Sequence, residues 1–210
     1  MLKLTTVKKF YNKHLVLDIP NLQLENQIYW LKGANGSGKT TLLKMIAGLL
    51  PFEGDILFDN ISLKLNPVIY RQNVSWAEAE PLFPSFMTGM DLLFLYQSIR
   101  KVLKSDVDIL IELFNMNEYV NSAIGTYSTG MTKKLSLVLA FLGNQQLIVL
   151  DEPLITLDPD ATTSVCTFIS DRYKNKGTTF LMSSHQELDY RLMLSGKELI
   201  VYNKTVFKIK

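Results

Sequence analysis

The chain has 210 residues, 47% of them hydrophobic and 20% charged, which supports the buried core of one domain or two tight lobes and excludes a disordered chain. Twenty-two basic against twenty acidic residues leave a formal charge of +2, and the lysines are scattered except near the C-terminus, so the balance points to no nucleic-acid partner. One cysteine, Cys166, cannot close an intrachain disulfide, and its setting TTSVCTFIS reads as a buried helix face.

The opening stretch MLKLTTVKKF lacks the apolar centre of a signal peptide, and no run reaches the ~18 apolar residues that a membrane span needs, so a cytosolic protein is expected. Alternating apolar and polar positions in LKLTTV and LVLDI predict strands, and QIYWLK predicts a third that feeds a glycine-rich junction. TLLKMIAGLL then carries Leu42, Leu43, Ile46, Leu49 and Leu50 at helical spacing, predicting a helix that stops at Pro51. GDILFD and Val74 to Ala77 predict two more strands. From Pro81 to Asn117 the pattern is helical, in MDLLFLYQSI and VDILIELFNM, with no strand signal.

YSTGMTKKLSLVLAFLG predicts a helix with Ser128 at its N-cap. Its apolar run is cut from the next strand by Gly143, Asn144, Gln145 and Gln146, so it reads as core rather than membrane. From Leu147 the order is strand LIVL, helix ATTSVCTFISDRY, strand TTFLMSS, helix QELDYRLM, then closing strands ELIVY and TVFKI. Strands alternating with helices predict an α/β fold with a largely parallel sheet covered on both faces.

Gly33, Ala34, Asn35, Gly36, Ser37, Gly38, Lys39 and Thr40 fit G-x-x-x-x-G-K-[ST] between a predicted strand and a predicted helix, with Thr41 following. Such a loop turns its amides toward phosphate oxygens and adds the helix's positive end. Lys39 would reach the terminal phosphates of a nucleotide, and the Thr40 hydroxyl would hold Mg²⁺. The loop alone does not separate ATPases from GTPases or small-molecule kinases, although no N-K-x-D base-reading tetrad is present. LIVLDE ends in two carboxylates at the strand edge where open parallel sheets bind ligands. There Asp151 suits the Mg²⁺ shell and Glu152 suits the general base for an attacking water. His185, closing TTFLMSSH at the equivalent edge, suits a γ-phosphate contact. Ser128 begins a second helix terminus able to take phosphate.

In order and spacing, the phosphate loop, YSTGM, LIVLDEPLITLDP and SSHQEL resemble the ATP-binding subunits of ATP-binding-cassette (ABC) transporters over nearly the whole chain. YSTGM in place of the commoner LSGGQ, with FMTGMDLL before the helical insert, resembles the exporter branch whose permeases are separate chains. The resemblance implies a P-loop NTPase core of about residues 1–80 and 128–210 with a mostly parallel sheet, an N-terminal antiparallel β subdomain, and a helical lobe of about 81–127 that docks a transmembrane permease. It implies ATP and Mg²⁺ as ligands, a location on the cytoplasmic face of the cell membrane, and a homodimer or heterodimer. ATP would lie between the phosphate loop of one subunit and Ser128 and Gly130 of the other. Lys39, Glu152 and His185 would be catalytic. Tyr11 would stack on adenine, with Phe10 as the alternative, and Asp158 would communicate across the dimer.

The sequence also departs from the family pattern. The family's glutamine falls at Ala79, between Glu78 and Glu80; Thr129 replaces the first signature glycine and Met131 its glutamine; Ile155 and Thr156 replace a small polar pair; LENQIYW lacks the usual turn glycine. Two alternatives to the transport ATPase follow, a soluble ATPase of the same superfamily and a regulatory subunit with weak or no hydrolysis. The former would need a long coiled coil or two fused cassettes.

Overall fold

A computed structural model describes residues 1–184 and 196–209 of the chain. Two sheets organise it. The first is antiparallel, in the order β2-β1-β4-β5, from β1 (Leu2–Tyr11), β2 (His14–Leu24), β4 (Glu53–Phe58) and β5 (Ile61–Ser62). The second runs β10-β9-β3-β8-β7-β6, from β3 (Ile28–Lys32), β6 (Val74–Ala77), β7 (Leu147–Leu150), β8 (Thr179–Ser183), β9 (Gly196–Tyr202) and β10 (Thr205–Lys208). All its pairings are parallel except that of β10 with β9, a hairpin whose turn residues Asn203 and Lys204 both have positive φ. The two-sheet arrangement is the expected P-loop core with an antiparallel N-terminal subdomain.

Helix α1 (Lys39–Ile46) lies between the sheets, burying Leu42, Leu43, Met45 and Ile46 in the same apolar cluster as Leu4 of β1, Ile56 of β4 and Val149 of β7. It ends earlier than the sequence pattern predicts. Gly48 takes φ +74, its amide donates to Met45 and that of Leu49 to Lys44, a Schellman ending that turns Leu49 out to 52% exposure. Leu49 therefore does not extend the helical face.

The other face of the parallel sheet carries a second cluster. Ile28 and Trp30 of β3, with Ile148 and Leu150 of β7, pack against α5 (Thr129–Phe141) and α6 (Pro159–Lys176), where Cys166 is buried as expected. Alternate residues of β3 and β7 thus serve two cores, so β7 and β8 are buried at every position. The helices expected beyond Pro81 are α3 (Gly89–Arg100) and α4 (Lys104–Leu113), followed by a short 3-10 turn, Ile124–Thr126. Thr88 caps α3 reciprocally with Asp91. Leu92, Leu93, Leu110 and Ile111 join the same cluster as Trp30 and Leu150, so the helical segment shares the core of the sheet. A sixth helix, α2 (Pro67–Gln72), precedes β6. QELDYRLM lies outside the described residues.

Candidate nucleotide site

The site lies beyond the C-terminal ends of β3, β7 and β8, which stand side by side in the parallel sheet. From β3 the chain enters Gly33–Gly38 and then α1. Gly33 (φ +150) has no room for a side chain, because a Cβ would stand 2.7 Å from Ser37 Oγ and 2.8 Å from the Val201 carbonyl. Gly38 (φ +103) is the N-cap of α1 without a capping side chain, and its first turn carries no acid, so the helix's leading amides keep no side-chain acceptor. Ser37 Oγ is buried with no hydrogen-bond partner. An orphaned hydroxyl beside uncapped amides is a cradle that fits phosphate oxygens.

Lys39 is not on an open loop. It is 6% exposed, and its ammonium folds back to donate to the carbonyls of Gly33 (2.8 Å) and Ala34 (3.1 Å). Burial holds its pKa below the usual lysine value, opposed by Glu152 and Asp151. Thr40 Oγ1 donates to Asp151 Oδ2 at 2.8 Å, joining loop and strand end across 111 residues of sequence. This pair offers only oxygen ligands, as a hard divalent cation requires. No cluster of three or more His, Cys, Asp or Glu occurs among the described residues, so any cation there would also need oxygens from its nucleotide.

Asp151 is 3% exposed, and Ser183 Oγ donates to its second oxygen at 2.6 Å while accepting from the Glu152 amide at 2.9 Å. Ser183 thus holds the Asp151 carboxylate and the Glu152 backbone from the neighbouring strand. Glu152 has φ +48, a left-handed backbone that a non-glycine residue adopts at a cost of order 1–3 kcal/mol. Ser183 was missed by the sequence reading, although its place at the end of a predicted strand on the same edge could have signalled it.

A second missed residue is Lys133 of α5, 1% exposed. Its ammonium donates to the carbonyls of Glu78 (2.7 Å), Ala79 (3.2 Å) and Asp151 (3.0 Å). Burial is the main cause of its pKa falling to about 8, with Asp151, Glu152 and Glu78 pulling the other way. It ties the segment after β6 to the end of β7. Lys44 of α1 also holds the Glu78 side chain, at 2.7 Å.

A cavity of about 760 Å³ joins Asn35, Ala79, Glu80, Thr129, Glu152 and Thr156. Ser128 caps α5 as expected, accepting from the Met131 amide at 3.2 Å, and no hydrogen bond links it to the phosphate loop of its own chain. Gly130 sits against Thr156, whose carbonyl would lie 3.0 Å from an added Cβ. Asp158 caps α6 and pairs with Lys134 at 2.8 Å, so that ion pair, more than the Ala161 amide, keeps its carboxyl below the usual range. Val16 and Leu17 of β2 border Gly38, and further along that hairpin Tyr11 pairs with His14. A register shift between Lys9 and Phe10 leaves both Phe10 (38%) and Tyr11 (47%) exposed, so either could meet a base. His185 lies outside the described residues.

The ABC transporter family matches residues 18–155. The bacitracin transport ATP-binding protein of Enterococcus faecalis is 32% identical over 84% of this chain, which spans only 58% of that relative's length. A cytochrome c biogenesis ATP-binding export protein of Reclinomonas americana is 32% identical, with 81% of this chain and 78% of the relative covered. Among solved structures, an ATP-binding subunit of an ABC transporter superposes with TM-score 0.89 at 25% identity, over 100% of this chain and 90% of the other. A dimeric post-hydrolysis ATP-binding cassette bound to ADP and Pi shares the fold, with TM-score 0.85 at 20% identity over 100% and 98%. The phosphate-ready loop is thus found in a chain whose fold and sequence agree on one assignment: it belongs to the ABC transporter family, among its ATP-binding cassettes.

Proposed function

We propose that the chain binds Mg²⁺-ATP at Gly33–Thr41, hydrolyses it, and drives a separately encoded transmembrane permease from the cytoplasmic face of the membrane. The observation that carries this reading is the Thr40–Asp151 contact, which brings the end of β7 and its paired acids to the mouth of the phosphate loop. Lys39 would leave the Gly33 and Ala34 carbonyls for the β- and γ-phosphates. Thr40 and Asp151 would hold Mg²⁺, which supplies charge neutralisation on the phosphates. Glu152, aimed by its Ser183-held backbone, would orient the attacking water, with His185 on the γ-phosphate. Tyr11 would stack on adenine. Ser128 and Gly130 would complete the site of a second subunit, and residues 81–127 would form the lobe that docks the permease. No helix among the described residues is long and apolar enough to cross a membrane, which suits a subunit that needs a membrane partner. The YSTGM signature supports the exporter branch.

Glu152→Gln tests this. The amide keeps size and hydrogen bonding but removes the base, so ATP should be bound and held between two chains. Light scattering on a size-exclusion peak should show monomers without nucleotide, dimers with Mg²⁺-ATP, and no dimers with ADP. Adding Ser128→Arg should abolish the dimer. A variant that turns over ATP at the wild-type rate would remove Glu152 from the chemistry. One that stays monomeric at saturating ATP would favour a regulatory subunit or an obligatory different partner.

A further inference from the structure

Three lysines are buried among the described residues, Lys9, Lys39 and Lys133, and the contacts of the nucleotide site account for only the last two. Lys9 lies on β1 and is 6% exposed. Its ammonium donates to the Pro51 carbonyl at 2.7 Å, and among the described residues no carboxylate pairs with it. Burying a lysine costs desolvation and side-chain entropy, and one neutral carbonyl offsets only part of that. The second contact of the ammonium is the face of Tyr11, whose ring centroid lies 4.9 Å away.

Strand geometry produces this pair. Side chains alternate along a strand, so Val7, Lys9 and Tyr11 share one face of β1 and Phe10 takes the other. The register shift beside Lys9 leaves the alternation intact, because the extra residue, Val16, lies on β2. Lys9 pairs with Leu17, which is fully buried and borders Gly38, so the shared face is the one turned to the phosphate loop. Tyr11 stands at the hairpin end of that face, 47% exposed, and among the described residues no hydrogen bond holds its hydroxyl. The anchored ammonium is what sets its ring. It covers one side and draws electron density from the other, which favours stacking there with the electron-rich face of a purine.

We infer that Lys9 is a positioning residue for the nucleotide base: fixed by the Pro51 carbonyl, its ammonium backs the Tyr11 ring and presents the opposite side to adenine before ATP arrives. This rests on the reading of Tyr11 given above. Ordering a side chain on binding costs on the order of 0.5–1.5 kcal/mol, and tyrosine, with two χ angles, belongs at the low end. A ring already held spares that cost, which corresponds to about 2- to 5-fold in affinity.

The test measures binding of ATP and of inorganic tripolyphosphate, which has the phosphates and no base. Lys9→Met keeps the apolar stem and should weaken ATP about 2- to 5-fold while leaving tripolyphosphate unchanged. KM for ATP should rise by the same factor with kcat unchanged, and Lys9→Arg should restore both. In a Tyr11→Ala background Lys9→Met should cost nothing further. Equal losses for ATP and tripolyphosphate, or losses that add in the double variant, would reduce Lys9 to a packing residue and overturn the inference. Wild-type ATP affinity in Lys9→Met, with Tyr11→Ala still weakened, overturns it and spares the Tyr11 reading. Unchanged ATP affinity in Tyr11→Ala overturns both. A further measurement needs no change at Lys9: in the wild type its ε-methylene protons should be shifted upfield by the ring current, keep that shift with ATP bound, and lose it in Tyr11→Leu. An unshifted signal, or one that loses its shift when ATP binds, overturns the inference.

Discussion

Lys133→Met removes the ammonium that joins the segment after β6 to the end of β7 while keeping an unbranched side chain of similar length. Three carbonyls, of Glu78, Ala79 and Asp151, lose their donor. Charge-assisted hydrogen bonds are worth about 1.5–3 kcal/mol each, so the gross loss is roughly 5–9 kcal/mol. Against it stands the net cost of holding the charged form. A fall from 10.5 to about 8 corresponds to roughly 3 kcal/mol, which methionine does not incur. The shift already contains part of the hydrogen-bonding gain, so the two figures overlap, and a net destabilisation of about 2–4 kcal/mol at pH 7 is expected by urea unfolding.

The pH dependence is the sharper check. The folded chain releases the Lys133 proton at about 8 and the unfolded chain near 10.5, so between those values the unfolded state binds more protons and the wild type gains stability as pH rises. The penalty of Lys133→Met should therefore widen, by about 2 kcal/mol between pH 7 and pH 9.5. A penalty that stays constant or shrinks would refute the claim that the ammonium is held charged in a desolvated site. ATPase activity should fall in the same variant, measured where it is still folded, because the backbone on both sides of the nucleotide site loses its tie.

Lys39→Ala should weaken ATP about 10- to 100-fold by equilibrium binding, the worth of a charge-assisted contact to phosphate, and lower the unfolding midpoint modestly, because the Gly33 and Ala34 carbonyls lose the ammonium that they accept from. Unchanged affinity in a folded protein would remove the phosphate-loop assignment. Tyr11→Ala should weaken ATP about 3- to 10-fold and more than Phe10→Ala; the reverse order would move the base contact to Phe10. Ala79→Gln places a longer side chain into the 760 Å³ cavity that already borders Glu152, and a raised turnover number is expected. Lost activity would show that the position has no role for glutamine.

Periodicity and motif spacing were enough to read the strand and helix order, because β3, β7 and the helices carry apolar patterns long enough to declare their type. They could not tell which sheet a strand joins. LKLTTV and GDILFD look like any other strands, and only the long-range pairing of Leu2 with Phe58 assigns them to the antiparallel sheet. The phosphate loop and Asp151 were legible because their chemistry is compressed into adjacent residues. Ser183 and Lys133 were not, since their contacts reach across 18 to 55 residues of sequence and they resemble an ordinary strand-end serine and helix-surface lysine. The overlong reading of α1 failed for a different reason. Leu49 and Leu50 fit the helical period, but Gly48 ends the helix before they can use it.

The double burial of β7 and β8 has a consequence for how the protein breathes. Amide hydrogens in strands enclosed on both faces exchange only through openings close to global unfolding, whereas exposed hairpins and helix ends exchange through local fraying. Asp151, Glu152 and Ser183 are therefore mounted on the slowest-exchanging part of the molecule, next to the Lys133 carbonyl contacts. Deuterium uptake should accordingly rise in α3 and α4 long before it reaches Leu147–Leu150 and Thr179–Ser183, which would leave Asp151 and Ser183 on the most persistent part of the sheet.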